Sequence, residues 1–184
     1  MNARKQPGRY VMTMDTRKCV GCNACVIACK TENALPAEVY RDWVTVDTRG
    51  VFPHLTQQIR SMRCNHCSAP DCVRYCPTGA SYIAEGGIVL VNTDKCTGCK
   101  ACIAACPYGA RSVHPDGYVD KCTFCIHRLE RGENPACVDV CPTRSLAIGD
   151  VDDPDSEVSK LLASRDFTVE AEGLGFHPNL YFLT

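Results

Sequence analysis

The sequence predicts an α+β fold made of a repeated, cysteine-bearing unit with small β-hairpin insertions. Two observations carry that prediction. First, 16 of the 184 residues are Cys, and they fall into four groups of four with none left over. Second, the stretch between the second and third groups reads as a hairpin: a strand over 81–84, a Gly86-Gly87 turn, and a strand over 88–91. Cys at about 9% approaches the level that marks a scaffold held by Cys chemistry. Much of the interior must then be Cys and whatever Cys binds.

Composition bounds the rest. Apolar residues at 45% and charged residues at 22% are ordinary for a globular chain. A net charge of −1 offers no basic field to nucleic acid. No stretch approaches 18 apolar residues, so no membrane span is expected. Residues 1–15 carry Arg4, Lys5 and Arg9 with no apolar region behind them, and no Arg-Arg pair precedes Cys19. No export signal is therefore expected, and the chain would be cytoplasmic or exported on a partner.

Group one is Cys19, Cys22, Cys25 and Cys29, spaced C-x2-C-x2-C-x3-C. Group two is Cys64, Cys67, Cys72 and Cys76, spaced C-x2-C-x4-C-x3-C. Group three, Cys96, Cys99, Cys102 and Cys106, repeats the spacing of group one. Group four, Cys122, Cys125, Cys137 and Cys141, is spaced C-x2-C-x11-C-x3-C. Pro77, Pro107 and Pro142 follow the last Cys of three groups, and Lys30 takes that place in group one. The C-x2-C-x2-C-x3-C-P run is the bacterial ferredoxin signature, in which a tight loop wraps three thiolates around one [4Fe–4S] cubane. The fourth Cys is expected where the chain enters a helix, and in two-cluster ferredoxins it serves the other cluster. Disulfides would call for a secreted chain. Structural zinc prefers two well-separated pairs. Four consecutive quartets ending in x3-C fit neither, and four [4Fe–4S] clusters, about 16 iron per chain, are expected. The fold is then two fused bacterial-ferredoxin-like units of two clusters each.

The elements follow in order. Group two, the hairpin and group three form an inner two-cluster unit over 64–114. Groups one and four flank it and form an outer unit over 10–30 and 115–150. Residues 31–63 are a β-rich insertion, with strands over 39–47 and 55–62 joined by a loop around Arg49-Gly50 and Pro53, and Trp43 packing beneath it. Residues 126–130 read as a helical turn ending near Gly132 and Pro135. Residues 151–184 are a C-terminal extension: an acidic loop over 151–155, a helix over 156–164 with Ser156 as N-cap and Val158, Leu161 and Leu162 on one face, a strand over 167–171, and an extended apolar tail over 178–183, read as a strand that covers the core in preference to a binding peptide.

No nucleophile–base set is readable, because every Cys is used, and no G-x-G-x-x-G or P-loop appears. His54, His66, His114, His127 and His177 share no metal-ligand spacing and are read as surface groups or neighbours of the clusters. The chain thus has redox centres and no catalytic residue, and paired clusters end to end make a wire. Loop charge sets an expected order of potentials. Lys95 and Lys100 should raise that of group three, and Asp71 should lower that of group two.

With those residues in view, the segments DTRKCVGCNACVIACK, RCNHCSAPDCVRYCPTGA, DKCTGCKACIAACPYGAR and GYVDKCTFCIHRLERGENPACVDVCPT resemble the iron–sulfur subunits of the dimethyl sulfoxide reductase-type molybdopterin oxidoreductases. The short length and the PNLYFL tail are most similar to the polysulfide and thiosulfate reductase subunits. The resemblance implies ligand exchange between paired groups. Cys19, Cys22, Cys25 and Cys141 would hold cluster 1, and Cys122, Cys125, Cys137 and Cys29 cluster 2. Cys64, Cys67, Cys72 and Cys106 would hold cluster 3, and Cys96, Cys99, Cys102 and Cys76 cluster 4. It also implies a large molybdopterin (Mo or W) catalytic subunit and an integral membrane quinone-binding subunit as partners. Electrons would be relayed between them in anaerobic respiration on a sulfur compound or similar oxyanion. Location would be peripheral to the membrane through those partners, on the periplasmic face by co-export or on the cytoplasmic face. The competing functions are an electron-transfer subunit of a formate dehydrogenase or hydrogenase, and a free polyferredoxin.

Overall fold

A computed structural model describes residues 8–184. Strand β1 (Tyr10–Asp15) leads into the first Cys loop and helix α1 (Ala24–Glu32). Strands β2 (Asp42–Val51) and β3 (His54–Arg63) form the insertion. The inner segment carries α2 (Asp71–Arg74), β4 (Ser81–Ile83), β5 (Val89–Val91) and α3 (Ala101–Ala104). Strands β6 (Ser112–Val113) and β7 (Val119–Asp120) make a short hairpin before α4 (Ile126–Leu129) and α5 (Ala136–Asp139). The chain ends with β8 (Leu146–Asp150), α6 (Glu157–Ser164), β9 (Phe167–Thr168) and β10 (Leu180–Leu183).

The one larger sheet has the order β8-β1-β10-β9. β1 pairs antiparallel with β8 and parallel with β10, Met12 lying opposite Ile148 on one side and Leu180 on the other. The two ends of the chain are thus joined in one sheet, and the apolar tail is a central strand. Side chains alternate across a strand, and β1 uses both faces. Met12 and Met14 enter the main core with Leu146, Leu180 and Phe182. Val11 turns the other way, against Val158 of α6 and its neighbours Leu161 and Leu162. Ser156 caps α6 by accepting from the Ser159 N–H at 3.2 Å. Burying Val158 completely stabilises this contact by about 1.5–2 kcal/mol. The local pattern predicts neither β1 nor β8. YVMTMD is short and lies beside charged residues, and only pairing with distant strands makes it a core element. β9 is shorter than the expected 167–171.

The insertion is a two-stranded ribbon in register from Asp42 opposite Arg63 to Val51 opposite His54. The turn falls at Phe52-Pro53, so Arg49 and Gly50 lie in β2 and not in a loop, and the strands are longer than expected. The base is buried, with Asp42, Ser61, Met62 and Arg63 inside, while the tip around Val51 and Phe52 stands exposed. Trp43 is partly buried and packs on the main core from this base.

Helix placement corrects one expectation. In groups two, three and four the helix starts one residue before the third Cys and stops before the fourth: Cys72 lies in α2 and Cys76 beyond it, Cys102 in α3 and Cys106 beyond it, Cys137 in α5 and Cys141 beyond it. The cause is the following Pro, which disfavours helical backbone at the residue before it. Group one has Lys30 there, and α1 runs on through Cys29 to Glu32.

The insertion is locked to β7 by a charge pair. Arg41 Nε and Nη2 donate to the two Asp120 carboxylate oxygens at 2.8 and 2.7 Å, and Nη1 donates to Asn33 Oδ1 at 2.8 Å. The side chains are only 13% and 7% exposed. Removing one partner of such a pair strands the other's charge. Arg41→Ala is therefore expected to cost about 3 kcal/mol, read as a fall in the thermal unfolding midpoint of the iron-loaded chain. Arg49→Ala, which breaks a pair exposed by 78% and 50%, should shift it by no more than about 0.5 kcal/mol.

Candidate metal centres

All 16 cysteines are free thiols. The fold gathers them into four places, three of which are small cavities. The first is lined by Cys19, Cys22, Cys25 and Cys141, with Ser61 and Ser145 beside them. The second is lined by Cys29, Cys122, Cys125 and Cys137, with Arg41, Asp42 and Arg63. The third is lined by Cys64, Cys67, Cys72 and Cys106, with Tyr108 and Arg111. In the fourth place Cys102 interacts electrostatically with Cys76 and Cys96, and Cys99 lies exposed in the same loop. The last Cys of group four thus sits with group one, and the last Cys of group one with group four. Cys106 sits with group two and Cys76 with group three. Packing of α1 against α5 brings the outer groups together.

The loops owe their shape to left-handed residues. Gly21 and Gly98 have φ +68° and +65° at matching positions in groups one and three, followed two residues later by Asn23 at 60° and Lys100 at 65°. After the last Cys, Gly79, Gly109 and Arg144 repeat the same conformation at φ 63°, 61° and 48°. A side chain at Gly98 would also collide with backbone, because its Cβ would lie 2.2 Å from the Gly117 carbonyl oxygen.

Each place supplies donors aimed at sulfur. Arg63 Nη1 donates to Cys137 Sγ at 2.9 Å, and Arg111 Nη2 to Cys72 Sγ at 2.9 Å. The backbone N–H groups of Ser81, Val119 and Ser145 donate to Cys76, Cys96 and Cys141 at 3.4, 3.4 and 3.3 Å. Burial opposes ionisation of most of these thiols: Cys67 and Cys122 are pushed up to about 12 and Cys137 to about 11. At Cys141 burial acts in the same sense, but hydrogen bonds from Ser145 and Thr143 outweigh it and bring the thiol down to about 7.

These residues fit iron–sulfur clusters. A soft metal is needed to hold thiolates whose burial otherwise keeps them protonated. Among the described residues no three His, Cys, Asp or Glu side chains are close enough to grip a single metal ion.

Sequence reasoning missed the cations. Arg63 and Lys121 are fully buried and Arg111 nearly so. Lys121 donates to the Cys122 carbonyl and faces the thiols of Cys64, Cys122 and Cys72. Lys95 and Lys100, expected to raise the potential of group three, are exposed, and water weakens their effect. The buried charge sits instead beside group two. Of the histidines, His66 is wholly buried, stacks on Phe124 with ring centroids 3.8 Å apart, and accepts from the Val89 N–H at 3.1 Å. Burial, with Lys121 and Arg111 nearby, holds its pKa well below the usual value and keeps it neutral. His127 pairs with Glu32 at 2.8 Å near the surface.

Two family models match the chain, both described as 4Fe-4S dicluster domains, over residues 18–80 and 55–151. The chain is 48% identical to the B component of polysulfide reductase from Wolinella succinogenes over 179 residues, 95% of this chain and 94% of that protein. It is 42% identical to the B component of tetrathionate reductase from Salmonella typhimurium, covering 95% and 72%. It is 38% identical to the B component of selenate reductase from Mesobacillus selenatarsenatis, covering 96% and 72%.

The Gly98 collision yields a prediction. Gly98→Ala should abolish iron binding by the Cys96–Cys102 loop, seen as about a quarter of the iron lost. Gly132→Ala, at φ +78° with open space around it, should cost only the about 1–2 kcal/mol of a left-handed side chain and keep full iron.

Proposed function

The protein belongs to the four-cluster iron–sulfur subunits of the molybdopterin oxidoreductases, and from that premise we propose that it relays electrons between a molybdopterin catalytic subunit and a quinone-reactive membrane subunit. It is an electron-transfer component of a reductase complex and not itself a catalyst. The reductases of its relatives act on polysulfide, tetrathionate and selenate, as their names state. We take the substrate of this complex to be a sulfur compound or a similar oxyanion. No helix of the described residues is long and apolar enough to cross a membrane. Attachment to the membrane is therefore assigned to partners, and the periplasmic face by co-export is the favoured location.

The single observation that carries the reading is the meeting of the two ends of the Cys pattern in two cavities. It supports ligand sets of Cys19, Cys22, Cys25 and Cys141; Cys29, Cys122, Cys125 and Cys137; Cys64, Cys67, Cys72 and Cys106; and Cys76, Cys96, Cys99 and Cys102. When bound, the clusters supply one-electron redox chemistry. The chain's own residues do the rest. The cysteines hold each site in place. Arg63, Arg111 and the backbone donors compensate charge on the sulfurs. Met12, Phe124 and Leu146 keep water from the interior. Neighbouring groups suggest a linear order. Cys25 and Cys137 both face Arg63, Cys122 interacts with Cys64, and Cys72 and Cys102 both face Arg111. Cys22 and Cys99, at opposite ends of that order, are exposed, which suits exchange with two different partners.

The test uses two substitutions four residues apart in sequence. Cys141→Ser should remove the EPR signal that Cys19→Ser removes, and Cys137→Ser the one that Cys29→Ser removes. The parent complex should hold about 16 iron in this chain. Signals lost in common by Cys141→Ser and Cys137→Ser would favour four sequential quartets instead. Purification of the native chain without a molybdenum- or tungsten-containing partner would count against the relay.

A further inference from the structure

We propose that Arg111 and Lys121 are buried cationic bridges at the junctions between successive cluster sites, and that they make the Cys64, Cys67, Cys72 and Cys106 site easier to reduce than the neighbouring Cys76, Cys96, Cys99 and Cys102 site. The proposal rests on the ligand sets given above.

Lys121 lies between the second and third sites. It is 2% exposed, donates to the Cys122 carbonyl, and faces Cys122 of one site and Cys64 and Cys72 of the other. Arg111 lies between the third and fourth. It is 6% exposed, donates to Cys72 Sγ at 2.9 Å, is anchored on Ser81 Oγ at 2.9 Å, and interacts with Cys102. Burial, with Arg111 nearby, lowers the pKa of Lys121, while Cys64, Cys122 and Cys72 beside it act against that and favour its charged form; with Lys121 charged, the third site is flanked by a cation on each side, and the fourth by one. Among the described residues neither Arg111 nor Lys121 is ion-paired with a carboxylate. Arg63, between the first and second sites, differs. Asp42 pairs with it at 3.0 Å and offsets its charge.

The other groups around the third site do not cancel this field. His66 is neutral. Asp71 lines the cavity, but it lies 3.8 Å from Arg74 and is partly solvated. Tyr108, whose hydroxyl lies 3.5 Å from Cys67 Sγ, is uncharged because burial raises its pKa further above the neutral range. Each event at the site is the gain of one electron from a neighbouring site and its loss to the next, with no bond made or broken. The reduced state carries one more negative charge. A fixed cation in a low-dielectric interior stabilises that state far more than an exposed one does, and a hydrogen bond to a ligand sulfur acts in the same direction.

The experiment is an anaerobic EPR redox titration of the intact complex carrying Arg111→Gln, Arg111→Lys or Lys121→Gln, with iron content measured on each. The signal to follow is the one lost in both Cys72→Ser and Cys106→Ser. In the unmodified complex its midpoint should lie above that of the signal lost in Cys96→Ser. Arg111→Gln and Lys121→Gln should each lower it by at least a tenfold change in the reduction equilibrium, 59 mV for one electron. Arg111→Lys should lose less, and the signal lost in Cys22→Ser should not move. The reverse order in the unmodified complex, or an unmoved midpoint with iron retained, overturns the proposal. Iron loss in all three variants would assign these cations to assembly and overturn it as well. If Cys72→Ser and Cys106→Ser remove different signals, the ligand sets fail instead, and that outcome is separate from the behaviour of the Arg111 and Lys121 variants.

Discussion

Sulfur ligation is the constraint on which the rest of the fold depends. The main core is built as much from Cys25, Cys64, Cys122 and Cys137 as from Met, Leu and Phe. Left alone, buried thiols such as Cys67 and Cys122 would stay protonated, since burial pushes them up to about 12. Three of the four places where they gather are cavities lined by four cysteines each. Iron therefore supplies the bonds that hold the thiolates. Metal binding and folding are one event in such a chain.

From that requirement the topology follows. The first and last Cys groups can share two cavities only if the ends of the chain come together. Pairing β1 with β8 on one side and β10 on the other does this. The ribbon of β2 and β3 then closes over the outer cavities, and its base contributes Ser61 to one and Arg63 to the next. The Asp42–Arg63 pair and the Arg41–Asp120 pair are the points where the insertion is keyed to the Cys groups. Their burial makes partner loss costly. The 18–80 and 55–151 segments that match dicluster models cut across this arrangement, because a match along the chain cannot register a closure between its ends.

Much of this is legible in the residues and some is not. Spacing alone identifies all 16 cysteines, the hairpin over 81–91, the capped helix after Ser156 and the covering tail, because each has a local signature. β1 and β8 lack one, since their stability comes from partners more than a hundred residues away. The length of α1 could have been read from Lys30: the other groups have Pro at that place and their helices stop early. The buried cations are the largest omission. An Arg or Lys in a short sequence window looks like surface. Only the packing of β3, β7 and the loop before β6 around sulfur reveals that Arg63, Lys121 and Arg111 are inside.

That omission changes how charge is understood in this molecule. Exposed Lys95 and Lys100 and acidic Asp71 favour group three over group two as the more easily reduced. Depth reverses the weighting. A unit charge about 4 Å away is worth roughly 1 kcal/mol in water and about four times that at the effective dielectric of a protein. In the order proposed, Arg111 is shared by the third and fourth sites, and Lys121, buried beside the third, outweighs the two solvated cations beside the fourth. The same interior must also accept added negative charge whenever an electron passes. With a net charge of −1 before any cluster is bound, the chain cannot rely on an excess of surface cations to compensate. It places a few where the sulfurs are, at the junctions, where each can serve two sites. Cys22 and Cys99 are exposed, so at those two cysteines compensation passes from the chain to solvent.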